Sequence, residues 1–286
     1  MRSDVSFLPG QPLKFVIQHF VSKGLEVTDV LSFGGLSTVL KCRKSNGSHF
    51  ILKAFFGYYT VCSQFSAVRG ELYGYKFYKE LNVEKYGYWR EQFLQEISIL
   101  KQLKGNPSYP CLLEADVAGE IPFFTMEEIL PSPHVELQSY SSKIDFLKDL
   151  FLAVHDLHCL GFVHRDITPF NLIRDASEKV KVLDFGYSLK LSDTKLSLYR
   201  QPHFVYWPPE FQKNFNNVTT AADVYSCGVL ACEILTGELP RIAMPELSEI
   251  NSDISEDVNE TVKQMLSYNA SDRQQSLLDC SAGLVG

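Results

Sequence analysis

Apolar and polar positions alternate from Leu25 to Lys44, with a glycine pair, Gly34-Gly35, at the middle. That is the pattern of a β-hairpin whose turn falls at the glycines. Phe50-Ile51-Leu52-Lys53-Ala54-Phe55 predicts a further strand, and Ile121 to Ile129 another, punctuated by Pro131-Ser132-Pro133. Between them the period changes. Phe93, Ile97, Leu100 and Leu103 fall at helical spacing, and Gly105-Asn106-Pro107 ends that helix. Beyond residue 130 helical periods dominate. Ile144 to Leu160 is periodic and stops at Gly161, while Val224 to Leu235 is almost wholly apolar, so it predicts a buried helix, stopped by Gly237. Leu172-Ile173 and Val180 to Leu183 predict two short strands around a turn. The whole reads as an α+β chain: strands with one long helix first, helices afterwards, and a hinge near residue 130.

Composition narrows the class. The chain has 286 residues, 45% hydrophobic and 21% charged, an ordinary globular balance with room for a sizeable core. A net charge of −7 argues against a nucleic-acid partner and against electrostatic docking on anionic membranes. The seven cysteines form neither a CxxC pair nor a zinc spacing and read as reduced thiols, mostly buried. Met1 to Gly10 lacks the apolar core of a signal peptide, and no apolar run is long enough to span a bilayer. A cytoplasmic protein is the expectation.

The segment that carries chemistry is His164-Arg165-Asp166-Ile167-Thr168-Pro169-Phe170-Asn171, followed by Asp184-Phe185-Gly186 after an apolar strand. An Asp and an Asn at this spacing can face one cleft from a loop, and a second Asp at a strand end can join them. Phosphoryl transfer needs such a set: oxygen ligands for magnesium, and a carboxylate that orients the attacking hydroxyl and accepts its proton.

In these motifs the chain resembles the eukaryotic-type protein kinases, and the resemblance continues in order from about residue 25 to 280. It implies a two-lobed fold: an N-lobe over 25–129, with a small antiparallel sheet and one key helix, and a helical C-lobe over 130–286. Ser32 to Val39 stands at the glycine-rich loop, with Gly34, Gly35 and Ser37 expected over the phosphates of ATP and Val39 against its adenine. Phe50-Ile51-Leu52-Lys53 resembles the V-A-I-K strand, which makes Lys53 the α/β-phosphate ligand. Its expected partner is Glu96, with Glu91 as competitor. Met126, Glu127 and Ile129 occupy the adenine-binding strand end, and Ile51 and Ile173 complete the nucleotide site. Asp166 is implied as base, Asn171 and Asp184 as ligands of magnesium, with manganese as alternative.

Trp207-Pro208-Pro209-Glu210 stands in place of Ala-Pro-Glu. Asp223 is expected to cap the backbone of the catalytic loop, and Arg273 to pair with Glu210. Tyr187 to Gln201 is the implied activation loop, with hydroxyls at Ser188, Ser192, Thr194, Ser197 and Tyr199, and Arg165 as its phosphate sensor. A stretch from about 57 to 87, rich in tyrosine, is an insertion. It reads either as extra packing or as a docking surface.

The chain departs from the family pattern where charge on the moving phosphate is neutralised. Thr168 replaces a lysine two residues after Asp166, and His203 aligns with the threonine that touches that lysine. Either the two substitute for that contact together, Thr168 as a catalytic residue and His203 as a partial positive charge, or they fill space. The resemblance thus implies an ATP- and magnesium-dependent serine/threonine protein kinase acting on protein substrates. The alternatives are a weak or inactive pseudokinase serving as a scaffold and a small-molecule kinase, the latter opposed by Glu210, Asp223 and Arg273. Delivery into a host cell's cytosol is a further expectation from the compact, divergent form.

Overall fold

The computed structural model describes residues 11–57, 71–72, 75–76, 83–133, 137, 139–192, 204–213, 218–241 and 245–285. The chain divides into two compact units, Met1–Lys104 with Pro110–Glu128, and Gly105–Tyr109 with Ile129–Gly286.

The first unit opens with a helix, α1 (Gln11–Ser22), that the alternation does not predict. Strands β1 (Glu26–Phe33), β2 (Thr38–Arg43) and β3 (His49–Ala54) come next. A two-residue pair, β4 (Glu71–Leu72) and β5 (Tyr75–Lys76), precedes the long helix α2 (Val83–Gln102), with β6 (Leu112–Asp116) and β7 (Phe123–Glu127) after it. Five of these strands make one antiparallel sheet in the order β1-β2-β3-β7-β6.

Period 2 divides the side chains of that sheet between two environments. Leu40, Cys42, Phe50, Leu52 and Ala54 join Val16 and Phe20 of α1 in one core. Phe20 meets the Phe123 ring edge-on at 5.2 Å. Lys53 alternates with Leu52 and Ala54, so its side chain leaves on the other face. There Phe93 of α2 packs on Phe55 (5.3 Å) and Phe124 (5.4 Å). Phe93, Ile97, Leu100 and Leu103 are all buried, as their spacing predicts.

The second unit carries α3 (Tyr140–Cys159), β8 (Phe162–Val163), β9 (Leu172–Arg174), β10 (Val180–Val182), β11 (Leu189–Lys190), α4 (Pro209–Lys213), α5 (Ala221–Thr236), α6 (Leu247–Ile250), α7 (Glu256–Met265) and α8 (Leu277–Gly283). Ser139 caps α3 in a reciprocal box with Ser142, supplying acceptors to end-of-helix donors. Helix α5 is buried along most of its length, as its apolar run predicts, and ends at Gly237 in the left-handed region (φ 79°). Antiparallel pairs β9–β10 and β8–β11 frame the loop that holds the candidate chemistry.

Candidate active site

In the second unit the site is built on the turn between β8 and β9. Asp223, the third residue of α5, is fully buried and accepts three hydrogen bonds. Its Oδ2 takes the His164 N–H at 2.7 Å and the His158 Nε2–H at 2.9 Å, and its Oδ1 takes the Arg165 N–H at 2.8 Å. Burial opposes ionisation of Asp223. The His158 hydrogen bond and charge, His164 and the Arg165 amide outweigh it and hold the carboxyl below its ordinary range. Arg165 lies at φ 70°, a strained backbone for a non-glycine residue, and the Asp223 carboxylate is what fixes it there.

Past this turn the imidazole of His164, fully buried, is oriented by two contacts. Nδ1 accepts the Asp166 N–H at 3.3 Å, so Nε2 carries the proton and donates to Leu183 O at 3.0 Å. Asn171 spends its amide nitrogen on Asp166, donating to the backbone O at 2.9 Å and to Oδ2 at 2.7 Å. Its Oδ1 is therefore the atom turned to other partners. The main chain ties in Asp184: Leu183 N–H donates to Asn171 O at 2.8 Å, and Leu172 pairs with Val182 across β9–β10. Asp184 comes next at φ 58°, accepting the Gly186 N–H at 3.0 Å, while Phe185 is buried against His164 and Tyr109. Asp166, Asn171 and Asp184 are thus drawn together by side-chain and backbone bonds.

Thr168 is 1% exposed, and its hydroxyl has no hydrogen-bond partner among the described residues. His203, its proposed counterpart, lies outside the described residues, as do Thr194, Ser197 and Tyr199 of the activation loop. Ser192 is exposed. Ser188 is fully buried and donates its N–H to Phe185 O at 3.0 Å, which takes it off the set of accessible hydroxyls. Arg165 is buried with its guanidinium 5.9 Å from the Phe211 ring. Glu210 and Arg273 form a two-pronged ion pair at 2.7 and 2.8 Å. Ile173 sits in β9 opposite Lys181, half-buried.

In the first unit, Lys53 Nζ donates to Glu96 Oε1 at 2.8 Å, both side chains almost wholly buried. Of Glu91 and Glu96 on α2, Glu96 is the one in this ion pair. Val39 lies opposite Lys53 in the β2–β3 register, and Met126 lies opposite Ile51 across β3–β7, so these four share one face. Gly34, Gly35 and Ser37 form the β1–β2 turn, closed by the Gly34 N–H on Ser37 O at 2.9 Å. Glu127 gives its N–H to Cys111 O at 3.0 Å and lies opposite Phe50 in the β3–β7 register. Ile129 lies just past β7 and is half-buried.

Helix α2 begins at Val83, so residues 83–87, placed in the tyrosine-rich insertion by composition, belong to that helix. Of the rest of that insertion, Gly57 and the strands β4 and β5 are the described residues. His158 is the residue that sequence reasoning passes over. It sits on α3, 65 positions before Asp223, and nothing local marks it.

A family model described as protein kinase domain matches residues 25–281. Among curated relatives, serine/threonine-protein kinase GIN4 of Saccharomyces cerevisiae is 37% identical over 137 residues, 47% of this chain and 11% of that protein. Serine/threonine-protein kinase PknB of Mycolicibacterium smegmatis is 29% identical over 160 residues, 50% of this chain and 25% of the relative. PknB of Mycobacterium tuberculosis is 28% identical over 192 residues, 59% of this chain and 30% of the relative. In each case the match spans less than a third of the relative's own length.

Proposed function

Since the chain belongs to the protein kinase family, with an N-lobe of five antiparallel strands and a helical C-lobe, we propose that it transfers the γ-phosphoryl group of ATP to serine or threonine hydroxyls of protein substrates. The observation that carries this reading is the Asp166–Asn171 pair, held at 2.7 Å, with Asp184 tied to Asn171 through Leu183.

Asn171 Oδ1 and the Asp184 carboxylate are hard oxygen donors, the kind that magnesium takes, and manganese suits them too. A divalent cation held there supplies positive charge to the phosphates of the nucleotide. Asp166 orients the acceptor hydroxyl and takes its proton, and Asn171 keeps that carboxylate aimed. Lys53, fixed by Glu96, holds the α- and β-phosphates. Val39, Ile51 and Met126, on their shared strand face, take the adenine, and the backbone of Glu127 bonds its edge; Ile129 and Ile173 are the nucleotide contacts that the family pattern implies for the second unit. Gly34, Gly35 and Ser37 cover the phosphates. Thr168, whose buried hydroxyl has no partner among the described residues, stands as a neutral donor toward the transferred phosphate where the family pattern has a lysine. The site works in a cytoplasm: Cys42, Cys227, Cys232 and Cys280 are buried without a disulfide, as in a reducing compartment. Among the described residues no helix is long and apolar enough to cross a membrane.

One observation favours a second reading, a scaffold with little transfer: Thr168 brings no charge to the place where the phosphate moves. Incubation with labelled ATP, magnesium and a mixed protein lysate, beside Asp166→Ala, separates them. Label on protein serine and threonine that disappears in the variant supports transfer. Nucleotide binding without labelled protein supports the scaffold, and label confined to small metabolites refutes both.

A further inference from the structure

In the proposed function the turn from Gly34 to Ser37 covers phosphates, and the role inferred for Gly57 rests on that proposal. The turn hangs between the ends of β1 and β2. Its height over the sheet is set from outside, by the chain just beyond β3. A Cβ built on Gly57 would stand 2.6 Å from Gly34 O, 2.7 Å from the Leu36 carbonyl carbon and 2.7 Å from Ser37 N. All three are main-chain atoms, so no change of rotamer relieves the clash.

The support under the turn is itself anchored. Phe55 N–H donates to Pro122 O at 2.8 Å, and the Phe55 and Phe56 side chains are buried. The Phe56 ring stacks on Phe15 of α1 with centroids 5.5 Å apart. Thr38, fully buried at the start of β2, gives its hydroxyl to Phe56 O, a bond that ties the base of the turn to the same segment. A Cβ on Gly34, by contrast, would meet nothing nearer than Ser37 O at 3.6 Å, an ordinary contact. The position that tolerates no side chain is therefore beneath the loop and outside its motif.

The geometry points to Gly57 as a positioning residue for nucleotide binding: its bare backbone seats the Gly34–Ser37 turn at the height from which the Leu36 and Ser37 amides meet phosphate. Any side chain at position 57 lifts the turn by about 1 Å to reach ordinary contact distance. A displacement of that size weakens a phosphate site about ten-fold or more.

The test compares the unaltered chain with Gly57→Ala, Thr38→Val and a control, Gly87→Ala, where an added Cβ has nothing within 4 Å. Two readouts are taken: use of nucleotide, as the Kd of a fluorescent ATP analogue with magnesium and the KM and kcat from steady-state turnover at varied ATP, and deuterium uptake of the peptide spanning residues 33–40 without nucleotide. Gly57→Ala is expected to raise the Kd and the KM for ATP about ten-fold with kcat changed less than about three-fold, and to speed uptake in that peptide alone. Thr38→Val shifts both readouts in the same direction, and the control shifts neither. Wild-type affinity and wild-type uptake in a folded Gly57→Ala protein overturn the inference. If that variant does not fold, Thr38→Val with both readouts unchanged overturns it instead. Faster uptake in a chain that binds no nucleotide upholds the seating role and refutes the phosphate-covering reading.

Discussion

Replacing Asp223 by asparagine keeps the size of the side chain and removes one acceptor. Whichever way the new amide is turned, one of the two backbone N–H groups that now donate to carboxylate, His164 at 2.7 Å or Arg165 at 2.8 Å, faces an NH2 group instead. The lost hydrogen bond to a charged acceptor is worth about 1.5–3 kcal/mol, and the stranded buried N–H costs a further 1–3 kcal/mol, roughly. A loss of about 2.5–6 kcal/mol is expected, large against the stability of a typical domain. Trp207 packs in the second unit beside Val163, Phe211 and Ala222, so its fluorescence in a Trp89→Phe background follows urea unfolding of that unit. Function falls too: Arg165 is released from φ 70°, Asp166 moves with it, and kcat drops by about 10²-fold. The pH dependence has a definite sign. The folded-state pKa of Asp223 lies below the ordinary 3.8, so its contribution is complete above 3.8 and is lost as pH falls through the lower folded value. The stability gap between wild type and variant therefore closes on acidification below pH 3.8. A gap under about 1 kcal/mol at neutral pH with kcat preserved, or one that stays constant into acid, would refute the reasoning.

Three further outcomes are expected from the same geometry. Thr168→Val removes a buried hydroxyl without a partner among the described residues, so thermal unfolding should show a variant as stable as wild type or more so by about 1 kcal/mol, while kcat falls about 10–100-fold if the hydroxyl serves the phosphate. Lys53→Met strands the Glu96 carboxylate, 3% exposed, and should cost about 3–5 kcal/mol in urea titrations. The double variant Lys53→Met/Glu96→Leu should recover most of that stability without recovering ATP binding. Arg273→Lys should lose about 3 kcal/mol by the same assay, because an ammonium cannot reproduce the two parallel bonds to Glu210.

The catalytic loop is legible in the sequence because its chemistry dictates both residue types and spacing, and no packing argument is needed to find Asp166 and Asn171. Helices such as α5 are legible because burial on all sides writes a continuous apolar run. What escapes is of two kinds. Helix α1 shows helical spacing at Leu13, Val16, Ile17 and Phe20, but the alternation starting at Leu25 dominates the reading of that region. Strand β6 sits at the sheet edge, where Leu113 is 46% exposed and the alternation is lost. The second kind is tertiary. His158 and Gly57 gain their meaning from Asp223 and the Gly34–Ser37 turn, far along the chain. A histidine at a helix end and a glycine before a tyrosine-rich stretch read locally as punctuation.

Arg273 also orders events in time. Its five donors are all used: Nε on Ser267 O, one terminal nitrogen on Glu210 and Ala221 O, the other on Glu210 and Tyr268 O. On a ribosome, Asp166, Asn171 and Asp184 emerge long before this guanidinium. Until it arrives, the Glu210 carboxylate and the Ala221 carbonyl at the start of α5, the helix that carries Asp223, have no cation to close on. A nascent chain holding every chemical group of the site is therefore still without its clamp until the segment that carries Arg273 has been made.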